Sequence, residues 1–433
     1  MESNKPLMVI QCPIGSRSGY GERSRDLVRS IIALDKYDVK IVSTRWGNTP
    51  MDALTDNDNE IVSRFLMQPL SKQPEIYVQI TVPNEFQRIG KFNIGITAGI
   101  ETSICDPSWI EGCNRMDLVL TSSEHSKKVF ESSSFEKRDS NTNQSLGHLK
   151  LQTPVEVLFE GVDLSSFKKT YTANPSIEEI MSKVEEDFGF LFVGHWLQGD
   201  FGEDRKNVSG LIKTFFEAFK DKPKAPALLL KTSMVTNSVV DQHEIIQRIN
   251  KIKDTVEAKT FPNVYLISAD LTKEEMNDLY NHPKVKCHIS FTKGEGFGRP
   301  LAEAALTNKP IITTNWSGHL DFLNSESSIL IDGTLTNVHP SAVWKGVINA
   351  EAQWFTINYG AAMSYMKDVV KNYKVYTERS RKTYHHIKSN FSLELMKDKL
   401  NTILDSRLPE FPKQVELKLP TLKKIELPKL KKV

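Results

Sequence analysis

Short apolar runs alternate with stretches of helical periodicity twice along the chain, and this limits the fold more than any other feature. Leu7-Met8-Val9-Ile10 leads through Gly15-Ser16-Arg17-Ser18-Gly19-Tyr20-Gly21 into a segment with Leu27, Ile31 and Leu34 on one face, then to Val39-Lys40-Ile41-Val42. Uninterrupted apolar runs read as strands buried on both faces, and parallel strands need a crossover helix between them. The pattern therefore predicts a doubly wound α/β sheet. Further strands are expected at Ile76–Ile80, Phe92–Ile96, Asp117–Thr121 and Pro154–Leu158, and helices from Pro107 and from Ser123, which with Ser126 offers a cap. The Ser- and Asn-rich stretch 132–152 reads as a surface insertion or mobile loop. The Gly15–Gly21 loop lacks the dinucleotide-binding spacing, and no acidic residue closes the second strand. Gly15, Gly19, Tyr20 and Gly21 thus stand as a candidate phosphate or acceptor loop, with a purely structural loop as the alternative.

A second series begins at Phe188, after a polar, charged linker at 169–187. Its strands are Phe190–Val193, Ala227–Lys231, Val264–Ile267, Val285–Phe291 and Pro310–Thr314. Its first helix carries Val208, Leu211, Ile212, Phe215 and Phe219, and Thr272 with Glu275 forms a capping-box pattern. A loop with Asp200, Gly202, Asp204, Arg205 and Lys206 follows the first strand. A helical section is expected from Ser341 to Leu404. The expected organisation is an N-terminal Rossmann-like acceptor domain (1–168), the linker, a nucleotide domain (188–384), a helix returning to the N-terminal domain (385–405) and an extended tail (406–433).

The length of 433 residues suits two domains of about 200. With 39% hydrophobic and 25% charged residues, wholesale disorder is excluded. The N-terminus lacks a signal-peptide apolar region, and no window approaches about 18 apolar residues, so no transmembrane segment is expected. Cys12, Cys105, Cys113 and Cys287 are scattered without metal-ligand spacing, which fits buried thiols in a reducing, cytoplasmic compartment. Asp56-Asn57-Asp58 has a metal-binding pattern but lies in a polar stretch, so it reads as a solvated loop and no metal is assigned. Seven lysines against two glutamates in 413–433 make the tail basic and leave the body at net −3. That tail, with prolines at 420 and 428, suits docking on a protein groove, an anionic surface or nucleic acid, or serves only as a solubilising segment.

The densest stretch is Phe291-Thr292-Lys293-Gly294-Glu295-Gly296-Phe297-Gly298-Arg299-Pro300-Leu301-Ala302-Glu303-Ala304-Ala305. It joins a strand to a helix, with Pro300 suited to a first helical position. Its three glycines allow close backbone approach, and the helix N-terminus suits a phosphate. Glu295 and Glu303 would repel phosphate, so hydroxyl groups are their expected partners.

This stretch resembles the signature of the family 4 glycosyltransferases, down to its Gly-Phe-Gly and Pro-Leu. Phe192-Val193-Gly194 with Arg205-Lys206-Asn207, Glu160-Gly161-Val162-Asp163 with Phe167, and Asn315-Trp316-Ser317-Gly318-His319 are similar to other pieces of that family in the same order. Ile100-Glu101-Thr102, Trp109, Asn114-Arg115, Asp117, Ser123 and Phe130 resemble one branch's N-terminal domain. The resemblance spans about residues 7–325. It implies the glycosyltransferase B fold, two facing Rossmann-like domains, and a retaining transfer from a nucleotide-sugar such as a UDP- or GDP-sugar, with no cofactor and no metal. Glu295 would serve the donor sugar and its cationic transition state, Glu303 the ribose, and Lys206 the diphosphate leaving group. Amides of Gly296, Phe297 and Gly298 would meet sugar or phosphate, and those of Leu301 and Ala302 the α-phosphate. Two departures stand out. His195 replaces the usual arginine after the Val-Gly, with Arg205 as its substitute. Glu101 occupies the region where many members carry a histidine, as either an acceptor-site residue or a helix-starting acid. His319 is a loop histidine or a ligand. The acceptor is a glycan, a protein or a hydroxymethylated DNA base. The competing reading is a catalytically weak sugar-nucleotide or glycan-binding module whose tail docks on a partner; intact Glu295, Glu303 and Lys206 favour the enzyme.

Overall fold

The computed structural model describes residues 5–139, 141–197, 199, 201–234 and 238–411. The N-terminal half runs β1 (Leu7–Cys12), α1 (Gly19–Leu34), β2 (Asp38–Ser43), a one-turn α2 (Asn59–Val62), β3 (Ile76–Ile80), β4 (Phe92–Ile96), α3 (Pro107–Cys113), β5 (Leu118–Thr121), α4 (Glu124–Ser132), β6 (Ser134–Arg138), β7 (Ser145–Lys150) and β8 (Val155–Val157). Its main sheet has the order β2-β1-β3-β4-β5-β8 with every pair parallel. After α5 (Pro175–Ser182) come β9 (Gly189–Val193), α6 (Val208–Phe219), β10 (Ala227–Lys231), α7 (Val239–Lys253), β11 (Val264–Ile267), α8 (Lys273–Asn281), β12 (Val285–Ile289), α9 (Arg299–Ala305), β13 (Ile311–Thr314) and β14 (Ile329–Ile331). They build a second parallel sheet, β11-β10-β9-β12-β13-β14. Helices cover both faces of each sheet, which is why the strands are almost wholly apolar: all of β3 is buried. In each sheet the winding reverses at the first strand, between β1 and β3 and between β9 and β12. Ligands of such sheets bind outside the carboxyl ends of the strands at that reversal.

The chain then forms a hairpin, β15 (Gly333–Asn337) with β16 (Gln353–Ile357), and ends in α10 (Tyr359–Lys371), α11 (Tyr373–Asn390) and α12 (Leu393–Arg407). Backbone bonds from Val162 to Phe391 O (2.8 Å) and from Leu393 to Val162 O (2.9 Å) carry α12 back onto the N-terminal half, where Lys36 pairs with Asp405 at 2.6 Å. Phe159, Phe297, Phe322 and Phe391 make an aromatic cluster beneath this crossing, with Phe297–Phe322 centroids 4.9 Å apart and Phe159–Phe391 5.0 Å. The segment between β15 and β16 also reaches the N-terminal half: Trp109 Nε1 donates to Gly346 O at 2.7 Å, and Ser103 N donates to Gln353 O at 2.8 Å.

Four expectations need correction. The 132–152 stretch is an antiparallel hairpin, β6 with β7, because its backbone groups pair locally from Ser134↔Lys150 onward although its side chains are mostly exposed. The linker contains α5, held by Ser176 Oγ donating to Glu275 at 2.7 Å. The helical section starts at Tyr359, since Gln353–Ile357 pairs antiparallel with β15. Asp56–Asp58 is a 3-10 turn in which Asp58 is buried, accepts from Thr55 N at 2.8 Å and pairs with Arg29, so it is not solvated. Asp200 and the basic tail lie outside the described residues. Among the described residues no helix is long and apolar enough to cross a membrane.

Candidate active site

The loop from β12 to α9 lies at the reversal point of the C-terminal sheet. Gly298 caps α9 with φ +97°, a conformation that favours glycine. Gly294 and Gly296 are needed for a different reason. A Cβ on Gly294 would lie 2.0 Å from Glu101 O, and one on Gly296 2.1 Å from Ala98 O. The backbone that approaches these glycines thus belongs to the N-terminal half. On the other side Glu295 N donates to Ser317 Oγ at 2.9 Å, and Gly318 N donates to Glu295 O at 2.9 Å. Ser317 holds φ +82°, a strained value for a residue with a side chain, and the two hydrogen bonds around it fix that conformation.

The loop from β9 to α6 supplies the opposing charges. Asn207, at φ +51°, turns the chain after Arg205 and Lys206, the two residues that reach Glu295. Lys206 Nζ lies 2.5 Å from Glu295 Oε1, and Arg205 NH1 lies 3.4 Å from Glu295 Oε2 and 3.7 Å from Glu101 Oε1. Arg205 also donates to Gly294 O at 3.1 Å. Burial would raise the Glu295 pKa, but Lys206 and then Arg205 outweigh it and hold it down to about 2. Burial lowers the Lys206 pKa while Glu295 opposes that shift. Arg205 is raised overall, because Glu101 and Glu295 together exceed its desolvation. The cluster therefore holds two cations and two carboxylates, with Glu295 ionised and nearly enclosed.

Glu303 stands one turn into α9 and accepts from the buried Tyr280 hydroxyl at 3.1 Å. Burial, opposed by Arg299, pushes its carboxyl up to about 7. His195 sits at the end of β9 with Nδ1 3.1 Å from Ser233 Oγ, and it does not bond Glu295. Phe297 turns its ring into the aromatic cluster. The amides of Leu301 and Ala302 both donate to Gly298 O, at 2.9 and 3.3 Å. Those of Gly296, Phe297 and Gly298 have no protein acceptor among the described residues. Glu101 lies in a bend and α3 begins only at Pro107, so it is not a helix-starting acid. His319 is fully buried with Nε2 2.7 Å from Thr314 O.

In the N-terminal half, a Cβ on Gly21 would meet Ser16 O at 2.0 Å and one on Gly15 would meet Met51 O at 2.9 Å, whereas Gly19 has open space. Tyr20 stacks on Trp46 with centroids 4.0 Å apart, and its hydroxyl receives the Ala98 N–H at 3.1 Å. Gly15 and Gly21 are thus packing residues, and Tyr20 braces the strand end that reaches Gly296.

Two contributors had no sequence signal of their own. Tyr280 and Trp46 lie 23 and 26 residues from Glu303 and Tyr20, and only the fold brings them together. Arg299 was visible only as a letter of the signature. Its carboxylate partners lie in the other half of the chain.

Two doubly wound parallel sheets whose carboxyl ends face each other across this charged cluster define the glycosyltransferase B fold. Solved structures agree. A glycosyltransferase from Rickettsia africae superposes with a TM-score of 0.60 at 15% identity over 94% of this chain and 99% of that one. Anabaena HepE, solved in complex with UDP-glucose, gives 0.58 at 12% identity over 93% and 100%. Sucrose-phosphate synthase from Thermosynechococcus elongatus gives 0.58 at 10% identity over 93% and 99%. No family model matches the chain, and no curated protein matches it. At these identities the likeness is one of fold.

Proposed function

We propose that the protein is a retaining glycosyltransferase that moves a sugar from a nucleoside-diphosphate sugar to a hydroxyl acceptor. The observation that carries this reading is the Lys206–Glu295 contact of 2.5 Å at the reversal point of the C-terminal sheet, with Arg205 and Glu101 beside it. An ionised carboxylate suits sugar hydroxyls and a cationic transition state, and an adjacent ammonium suits the departing diphosphate. The amides of Gly296, Phe297 and Gly298, which have no acceptor among the described residues, offer donors for sugar or phosphate oxygens. Glu303 accepts from the ribose hydroxyls, assisted by Tyr280. In the reaction the bond from the anomeric carbon to phosphate breaks, a bond to the acceptor oxygen forms, and the acceptor proton leaves with the diphosphate. A UDP-sugar donor is supported by the binding of UDP-glucose in HepE. Four buried thiols support a reducing, cytoplasmic setting.

The test is turnover of UDP- and GDP-sugars, with the anomeric configuration of the product read by NMR. Retention at the anomeric carbon is expected. Nucleotide binding without turnover of any donor would leave the weak binding module as the correct reading, and inversion would overturn the mechanism.

A further inference from the structure

The two halves meet in a second charged cluster, separate from Glu295. The N-terminal half contributes Glu22 and Asp26 from α1 and Glu160 from the segment after β8. The C-terminal half contributes Arg299, the first residue of α9, and Lys273, the first residue of α8. Arg299 reaches all three acids: NH2 to Asp26 at 2.5 Å, Nε to Glu160 at 3.2 Å and NH1 to Glu22 at 3.5 Å. Lys273 adds a contact to Glu22 at 2.6 Å. Asp26 is 4% exposed and Arg299 16%, so water replaces little of this if it is broken. A planar guanidinium can serve several carboxylates at once, which an ammonium does not do in the same geometry.

Arg299 directly follows the loop in which Gly294 and Gly296 touch Glu101 O and Ala98 O. Whatever holds α1 against the first turn of α9 therefore also holds Glu101 next to Arg205 and Glu295. We infer that Arg299 is a positioning residue for sugar transfer: by binding Glu22, Asp26 and Glu160 it keeps the acceptor half closed on the donor loop. Without it, Glu22, Asp26 and Glu160 lose the cation they share across the junction, Glu22 faces the like charge of Glu303 in α9, and only Lys273 of the other half and Arg23 and Arg25 of their own offset them, so the halves separate. This inference rests on the glycosyltransferase reading for the word transfer, but not for the closure.

The test compares the full-length wild type with Arg299→Met by small-angle X-ray scattering and with UDP-glucose as donor. Arg299→Met is expected to show a larger radius of gyration and about a 100-fold loss of UDP-glucose turnover. Adding Glu22→Gln, Asp26→Asn and Glu160→Gln to Arg299→Met should restore the wild-type radius, because the repelling charges are gone; loss of packing alone would not be repaired this way. Lys273→Met, at a partly exposed position, should give a smaller expansion and serves if Arg299→Met does not fold. An unchanged radius in the variant that folds, or a neutralised quadruple variant no more compact than Arg299→Met, would overturn the latch. A wild type that binds neither UDP nor GDP and turns over no UDP- or GDP-sugar would remove the transferase reading, and the scattering comparison would still decide the closure.

Discussion

Lys206 Nζ lies 2.5 Å from Glu295 Oε1, across 89 residues of sequence, and the two loops that carry them are the ones that flank the reversal point of the C-terminal sheet. Each group keeps the other charged in a place where burial disfavours both. Under the proposed function they serve opposite ends of the bond that breaks.

Glu295→Ala should reduce transfer at least about 1,000-fold, since the transition-state partner is lost. UDP affinity, measured by titration calorimetry, should change by less than about threefold. Equal losses in both would mean that Glu295 holds the nucleotide.

Lys206→Met should lower kcat/KM about 100- to 1,000-fold and weaken UDP binding. It also tests the electrostatics. A carboxyl held down to about 2 contributes stability that is present above its ordinary value of 4.5 and lost as pH falls toward 2. In acid titrations followed by Tm, the wild type should lose stability through that window. Lys206→Met should be less stable at pH 7, by about 3 kcal/mol, and should fall less steeply below pH 4.5.

The sign is opposite for Glu303. Its carboxyl is pushed up to about 7, so the stability it contributes is fully present below 4.5 and is lost as pH rises to about 7. The Tm of the wild type should decline relative to Glu303→Gln between those values and run parallel above them. UDP affinity should tighten from pH 6 to 8 in the wild type as the carboxylate forms, and stay flat in Glu303→Gln. Glu303→Ala should weaken UDP about 10- to 100-fold, the loss of a charge-assisted hydrogen bond.

Gly296→Ala separates two reasons for a glycine. Its Cβ would meet Ala98 O at 2.1 Å, a backbone atom of the other half with no flexible end to give way. The variant should therefore lose stability and transfer together, and it should show the expanded scattering profile of an opened junction. Weakened UDP binding in a variant of wild-type compactness would instead make the glycine a ligand contact.

The sheets were legible because buried parallel strands are written as local apolar runs; β1, β3, β9 and β10 each stand where such a run does. The β6–β7 hairpin was not, since its side chains are exposed and its pairing carries no apolar alternation. Strand β16 was hidden inside the section expected to be helical, because a strand pair is a relation between segments and not a property of one. Glu295, Glu303 and Lys206 could be picked from motifs, and their residue types limited what each could bind.

The sequence by itself determined two doubly wound halves, a Gly-rich turn with two acids, and the residues available to a site. Only the tertiary structure decided which faces of those halves meet. Gly294 and Gly296 turned out to admit the backbone of Glu101 and Ala98, and Arg299 to join α9 to the acids of α1 and Glu160. The physical reason is that local periodicity reports burial, whereas the charge and the space at a junction depend on partners more than a hundred residues away in the chain.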